Sequence, residues 1–166
     1  MLLIRLLRAV KVMRPSLDPR HSASADNLSS DTPPVTLPID DQLEIQQLYA
    51  RYNHFLDYNH PTEWAALFVA DGSFTAPGAI EEVRGTAGLI AFARDVIPQF
   101  KARHFISNLV IDGEGGAATG SCYMFSWHVP GDGEPKTLLN VGVYVDELAR
   151  ANGRWLFKSR VLNLEP

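Results

Sequence analysis

Residues 103–129 read RHFISNLVIDGEGGAATGSCYMFSWHV, and this stretch decides the fold. Its two halves are rich in β-branched and aromatic residues, and Asp112-Gly113-Glu114-Gly115-Gly116 between them supplies turn chemistry where two strands must reverse. Downstream, Pro130-Gly131-Asp132-Gly133 and Ala151-Asn152-Gly153 punctuate two further runs of the same kind. The pattern predicts strands over 103–111, 117–129, 137–148 and 154–164, joined as an antiparallel meander.

Upstream the period changes from two to between three and four. Asp40 is a predicted N-cap, and Glu44, Ile45, Leu48, Tyr52 and Phe55 carry a helix that should end near Asp57 to Asn59. Pro61 suits the first turn of a second helix presenting Trp64, Leu67 and Phe68, followed by a strand over Ser73 to Ala76. Gly85-Thr86 opens a third helix, buried through Leu89, Ile90, Ala93, Val96 and Ile97 and closed by Pro98. Helices first and a meander afterwards is an α+β arrangement.

At 166 residues with 46% hydrophobic side chains, the chain suits one core. Residues 1–38 hold Arg5, Arg8, Lys11, Arg14 and Arg20 against three acids, which leaves ten bases and sixteen acids in residues 39–166. An acidic body without a basic and aromatic stripe argues against nucleic acid as a partner. No apolar run reaches membrane-spanning length, so no membrane partner is expected. Cys122 stands alone, which excludes an intrachain disulfide and fits a reducing compartment. No phosphate-cradling glycine loop, zinc-type Cys/His spacing or serine nucleophile elbow is present.

The leader over residues 1–38 has two readings. Its acid-free, arginine-interrupted start resembles an organelle transit peptide, carried by residues 1–25, whereas a disordered leader on a cytoplasmic protein explains the same composition. The stretch from Pro15 to Pro38 is rich in Ser, Pro and Asp and reads as a linker.

Four motifs in order carry a family resemblance: Leu48-Tyr49-Ala50-Arg51-Tyr52; Trp64-Ala65-Ala66-Leu67-Phe68 through Asp71-Gly72-Ser73-Phe74; Arg103-His104-Phe105-Ile106-Ser107-Asn108; and Gly153-Arg154-Trp155. Over residues 39–164 they resemble the SnoaL-like branch of the nuclear transport factor 2 superfamily. The resemblance implies a cone-shaped fold, three helices packed on a curved antiparallel or mixed sheet around an apolar pocket. It also implies a homo-oligomer, a dimer or trimer formed through the sheet. Scytalone dehydratase, hexachlorocyclohexane dehydrochlorinase and bile acid dehydratase in that superfamily work without a cofactor, using an aspartate that ends the first helix and a histidine on the strand after the third. Those positions fall on Asp57 and His104; a further dehydratase histidine matches His128, and an arginine of the dehydrochlorinase matches Arg160. Ala76 stands where the dehydratase has a pocket tyrosine, which argues against scytalone itself as substrate.

Read without the family, each residue has a plain structural alternative. Asp57 sits at the unfavourable end of a helix dipole, and the helical wheel puts it about 120° from Ile45, off the buried stripe. His104 alternates with Ile106, Asn108 and Val110 on one strand face. If Asp112 pairs with Gly116, His104 lies opposite Met124 and His128 shares its face; a one-residue change in that loop reverses the outcome. Arg160 could polarise a substrate carbonyl or anion from the final strand, whereas strict alternation sets it opposite Trp155 and beside Lys158, as a surface arginine. Tyr49, Tyr52, Phe74, Trp127 and Tyr144 read as core or pocket lining, and Met124 as a substrate-binding residue.

The expected function is a cofactor-independent lyase or isomerase acting on a small apolar cyclic or polyketide-like substrate. His104 would remove a proton, Asp57 would orient the ring, and His128 or a pocket tyrosine would protonate the leaving oxygen. A non-catalytic ligand carrier or accessory subunit is the alternative, and a third reading makes two histidines and a carboxylate an iron site.

Overall fold

A computed structural model describes residues 37–165 of the chain; of the leader expected over 1–38, residues 1–36, with both of its readings, lie outside the described residues. Helix α1 (Ile39–Asp57) is followed by the short α2 (Pro61–Ala65), strands β1 (Phe68–Ala76) and β2 (Ile80–Arg84), and helix α3 (Gly85–Asp95). A single 3-10 turn (Ile97–Phe100) then leads into β3 (Ala102–Glu114), β4 (Ala117–His128), β5 (Thr137–Ala151) and β6 (Arg154–Leu164). The six strands form one mixed sheet in the order β2-β1-β6-β5-β4-β3, with β1 and β6 parallel and every other pair antiparallel.

The helices form where the apolar spacing placed them. On α1, Ile45, Leu48, Tyr49, Tyr52 and Leu56 are buried, and each fully buried large side chain of this kind contributes about 1.5–3 kcal/mol. Capping differs from the expectation: Ile39 is already helical and Pro38 precedes it, so Asp40 lies inside the first turn with Asp41, where carboxylates meet the positive end of the dipole. The second helix is shorter than predicted, because Leu67 falls in the turn that follows it and Phe68 starts β1. Strand β2, which lacks an alternating apolar pattern, was not legible in the sequence.

The β3–β4 turn differs from the pairing considered above. Glu114 pairs with Ala117 around Gly115-Gly116, and Asp112 pairs with Thr119 rather than with Gly116. Taken alone, that three-residue shift, an odd number, would turn His104 outward. A bulge restores it: the register slips between Ser107 and Val110, at Asn108, whose φ of 54° lies in the left-handed region that asparagine tolerates. Beyond the bulge Leu109 and Ile111 face the core and Val110 is 58% exposed, so Val110 and His104 do not share a face.

A second bulge works the same way on β6. Glu147 pairs with Ser159 and Leu148 with Phe157, which leaves Lys158 without an opposite residue. Trp155 and Phe157 face inward before it, Arg160 and Leu162 after it, and Arg160 is 1% exposed. The surface placement that strict alternation assigned to Arg160 is therefore wrong, for a reason that side-chain pattern alone does not reveal.

Candidate functional site

The inner face of the sheet reads as rows across β3, β4 and β5. His104 pairs with Ser126 and Ser126 with Asn140; the next inward row runs from Ile106 through Met124 to Gly142. Two rows farther along, Gly120 pairs with Asp146, and Asp146 with Arg160. Ionisable side chains thus stand in two places on one wall, with apolar rows between them.

At the first place, Asp57 and His104 are in contact. The His104 ring, through Nδ1, lies 2.6 Å from Asp57 Oδ1, and the His104 backbone N–H donates to Asp57 Oδ2 at 3.0 Å. One residue therefore engages both oxygens of the carboxylate. The acceptor at Oδ1 requires Nδ1 to carry the proton, which leaves Nε2 as the nitrogen able to take one up. The side chains are 8% and 14% exposed, so the pair is sheltered yet reachable. The helical-wheel objection is answered by α1 itself: it stays regular through Asp57, and its buried stripe widens on the flank facing β3, with Tyr49, Asn53 and Asp57 stepping about 40° apart.

His128 shares the inner face, as parity required, although through a register different from the one considered. It pairs with Ala102, two residues beyond Ser126, which makes it a diagonal neighbour of His104, a relation that spaces residues about 7–8 Å apart. Ser126 is fully buried and accepts a hydrogen bond from Asn140 Nδ2 at 3.2 Å, a polar pair beside His104 that sequence inspection passed over. Asn53, one turn before Asp57, is buried with its Oδ1 unpartnered. His54 is exposed, and His60 lies 3.7 Å from Glu63 with its ring edge-on to Phe55, in keeping with surface roles.

The second place is deeper. Arg160 donates from Nε to Asp146 Oδ1 and from Nη2 to Asp146 Oδ2, both at 2.8 Å, and Tyr49 Oη donates to Asp146 Oδ2. The guanidinium lies 4.0 Å from the ring centre of Tyr144, 4.1 Å from those of Tyr52 and Phe157 and 4.6 Å from that of Tyr49. Its Nη1 has no partner. Burial alone would pull the guanidinium pKa down, but Asp146 outweighs burial and holds the group charged. Burial pushes the Tyr52 phenol up to about 12 and the Cys122 thiol up to about 12. Asp146, central to this cluster, was not singled out by the sequence, where a polar residue in a β-branched run was the available signal; Tyr49, read as core or pocket lining, is buried as expected.

Of the pocket residues expected, Met124 lies in the row next to His104, while Tyr52, Tyr144 and Arg160 belong to the deep cluster. Phe74 packs on Trp64 and Phe92, on the side of α2 and α3. Trp127 departs from the expected lining role: it pairs with Arg103 on the outward-facing parity of β4 and is 38% exposed. The interior is thus largely filled with side chains rather than open. Two cavities stand out among the described residues, and neither reaches the dyad: one of about 270 Å³ lies between α1 and the β5–β6 end, bordered by Leu43, Arg51 and Arg154, and one lies at the β1–β2 turn. No three His, Cys, Asp or Glu side chains among the described residues come together as metal donors, so the iron reading lacks its ligand set. No described helix is long and apolar enough to cross a membrane.

Residues 38–161 match the family model described as a SnoaL-like domain. Among solved structures, a protein of unknown function from Mycobacterium tuberculosis is 28% identical, with 79% of this chain and 78% of that one covered at a TM-score of 0.70. A protein from Novosphingobium aromaticivorans provisionally named a scytalone dehydratase is also 28% identical, with 76% and 85% covered at 0.66. An NTF2-like protein of cystatin-like fold from the same organism, 22% identical over 75% and 82% at 0.70, supports the fold alone. No curated protein matches the sequence.

Proposed function

The chain belongs to the SnoaL-like domain family, and from that premise we propose that it is a cofactor-independent lyase or isomerase acting on a small apolar cyclic or polyketide-like substrate. The observation that carries the proposal is the 2.6 Å contact between Asp57 and His104. His104 Nε2 takes a proton from a carbon next to a carbonyl, and the freed electron pair becomes part of a new double bond. Asp57 fixes the tautomer and balances the imidazolium charge. For a dehydration, His128 returns a proton to the departing hydroxyl, which leaves as water. Met124, in the row next to His104, borders the substrate, and the buried cluster of Tyr52, Tyr144 and Arg160 supports the wall beyond that row, with Phe74 packed on the α2 and α3 side. The scytalone dehydratase name of one neighbour supports this reaction class.

Deuterium incorporation tests the first step. Incubated in D₂O with a panel of cyclic ketones and β-hydroxy ketones, the protein should exchange the proton next to the carbonyl, read by NMR, and the His104→Ala protein should not. A protein that binds panel members, exchanges none, and keeps its affinity in His104→Ala and Asp57→Asn is a carrier instead.

The partner surface is the outer face of the sheet, which we assign to a second copy in a dimer or trimer. Phe105, Tyr123, Trp127, Leu138, Val141 and Val145 all leave large apolar area exposed there, and Phe105 stacks on Phe125. Contiguous apolar area of this kind marks an interaction site. Tyr123→Asp should convert the oligomer to monomer in analytical ultracentrifugation; an unchanged sedimentation profile counts against the assignment.

A further inference from the structure

Helix α1 ends without a capping side chain of its own, yet its last carbonyls are all occupied. His54 O accepts from the Tyr58 N–H at 3.1 Å, Leu56 O from the Asn59 N–H at 3.3 Å and Phe55 O from the His60 N–H at 2.8 Å. The remaining carbonyl, that of Asp57, accepts from Arg103 Nη1 at 3.0 Å, across 46 residues of sequence. The same nitrogen lies 3.0 Å from Ala102 O, and the guanidinium carbon is 4.9 Å from the ring centre of Tyr58.

Arg103 and His104 therefore hold Asp57 together. Arg103 takes the main-chain oxygen, and His104 takes both carboxylate oxygens. Asp57 alone is badly placed, a negative charge at the negative end of a helix. A guanidinium at that end offsets both charges, and its fork lets it grip a carbonyl while stacking on a ring, which an ammonium does less well. Arg103 also neighbours His104 on the strand, so its side chain leaves β3 on the opposite face and clamps the helix end from outside.

We propose that Arg103 is a positioning residue: by clamping the Asp57 carbonyl and the Tyr58 ring, it keeps the Asp57 carboxylate seated on the His104 imidazole. The proposal rests on the catalytic reading of the dyad given above and adds a residue that touches neither substrate nor reacting atoms. Without the clamp the last turn of α1 frays, the carboxylate leaves Nδ1 and the ring loses its fixed tautomer.

Side-chain NMR of His104 separates this from a role in folding. In the unaltered protein the Nδ1–H should give a downfield resonance that disappears in Asp57→Asn. Arg103→Ala should lose or broaden that resonance while backbone amide dispersion is kept. On a substrate found by the exchange assay it should lower kcat about 10- to 100-fold, the cost of a misplaced catalytic group, with KM nearly unchanged. Arg103→Lys, which keeps a charge and a donor, should recover part of both signals. An unaltered Nδ1–H resonance and unaltered kcat in Arg103→Ala overturn the proposal and leave the dyad reading intact. Full turnover in His104→Ala overturns the dyad reading independently. If Arg103→Ala does not fold, Arg103→Gln, which retains a donor without the charge, is read by the same resonance with the same criteria.

Discussion

Two polar constellations share the inner wall of one sheet, and they differ in what surrounds them. Asp57 and His104 lie at the strand ends, sheltered but in reach of solvent, and His104 Nε2 is left for a ligand. Asp146, Arg160 and Tyr49 lie beyond the apolar rows at no more than 1% exposure, with two guanidinium nitrogens already spent on the carboxylate. Under the proposed function, the contrast gives chemistry to the first and architecture to the second. A buried ion pair gains little over a well-packed apolar pair, while breaking one side of it is severe. What the deep pair adds is a defined arrangement of four aromatic rings around one cation.

The comparison can be broken at several points, beginning with the largest effect. His104→Ala should reduce proton exchange or turnover by about 10²- to 10⁴-fold, the usual worth of a general base, with a thermal midpoint close to that of the parent. Arg160→Met alone should destabilise by about 3–5 kcal/mol, because it strands a buried carboxylate; adding Asp146→Leu should return most of that loss in urea denaturation. A deep pair that tolerates Arg160→Met at full stability would erase the distinction.

A smaller effect is expected at Gly120. A Cβ there would stand 2.1 Å from Tyr49 Oη, so Gly120→Ala should push Tyr49 off Asp146 at a cost of about 1–3 kcal/mol. Tyr49→Phe in the same chain should relieve part of it, since the colliding oxygen is then gone. The smallest effect is a pH dependence. Tyr52 ionises near 10 when unfolded and is raised to about 12 when folded, so the unfolded chain gives up that proton first. Stability from this group should be complete below about pH 10 and decline between about 10 and 12, and Tyr52→Phe should flatten that decline in a denaturation series.

How much of this was legible beforehand follows from the particular residues. The helices, the four long strands and the family could be read because apolar spacing and turn residues are local signals, and Asp57 and His104 were found through motif order. The meeting of the two was a matter of tertiary structure, since the helical wheel opposed it. The inward turn of His104 was anticipated on a loop pairing that does not occur, and the bulge at Asn108 supplies the same parity by another route. Of the two readings of Arg160, the surface one fails because the bulge lies at Lys158, a residue with no turn signature.

The sequence by itself determined an α+β domain, its element order and a short list of ionisable side chains, because period and punctuation are written residue by residue. Only the tertiary structure decided which of those side chains face inward and which touch. A strand alternates with period two, so one unpaired residue reverses every side chain beyond it, and its presence is set by the partner strand's pairing rather than by the residue's own identity.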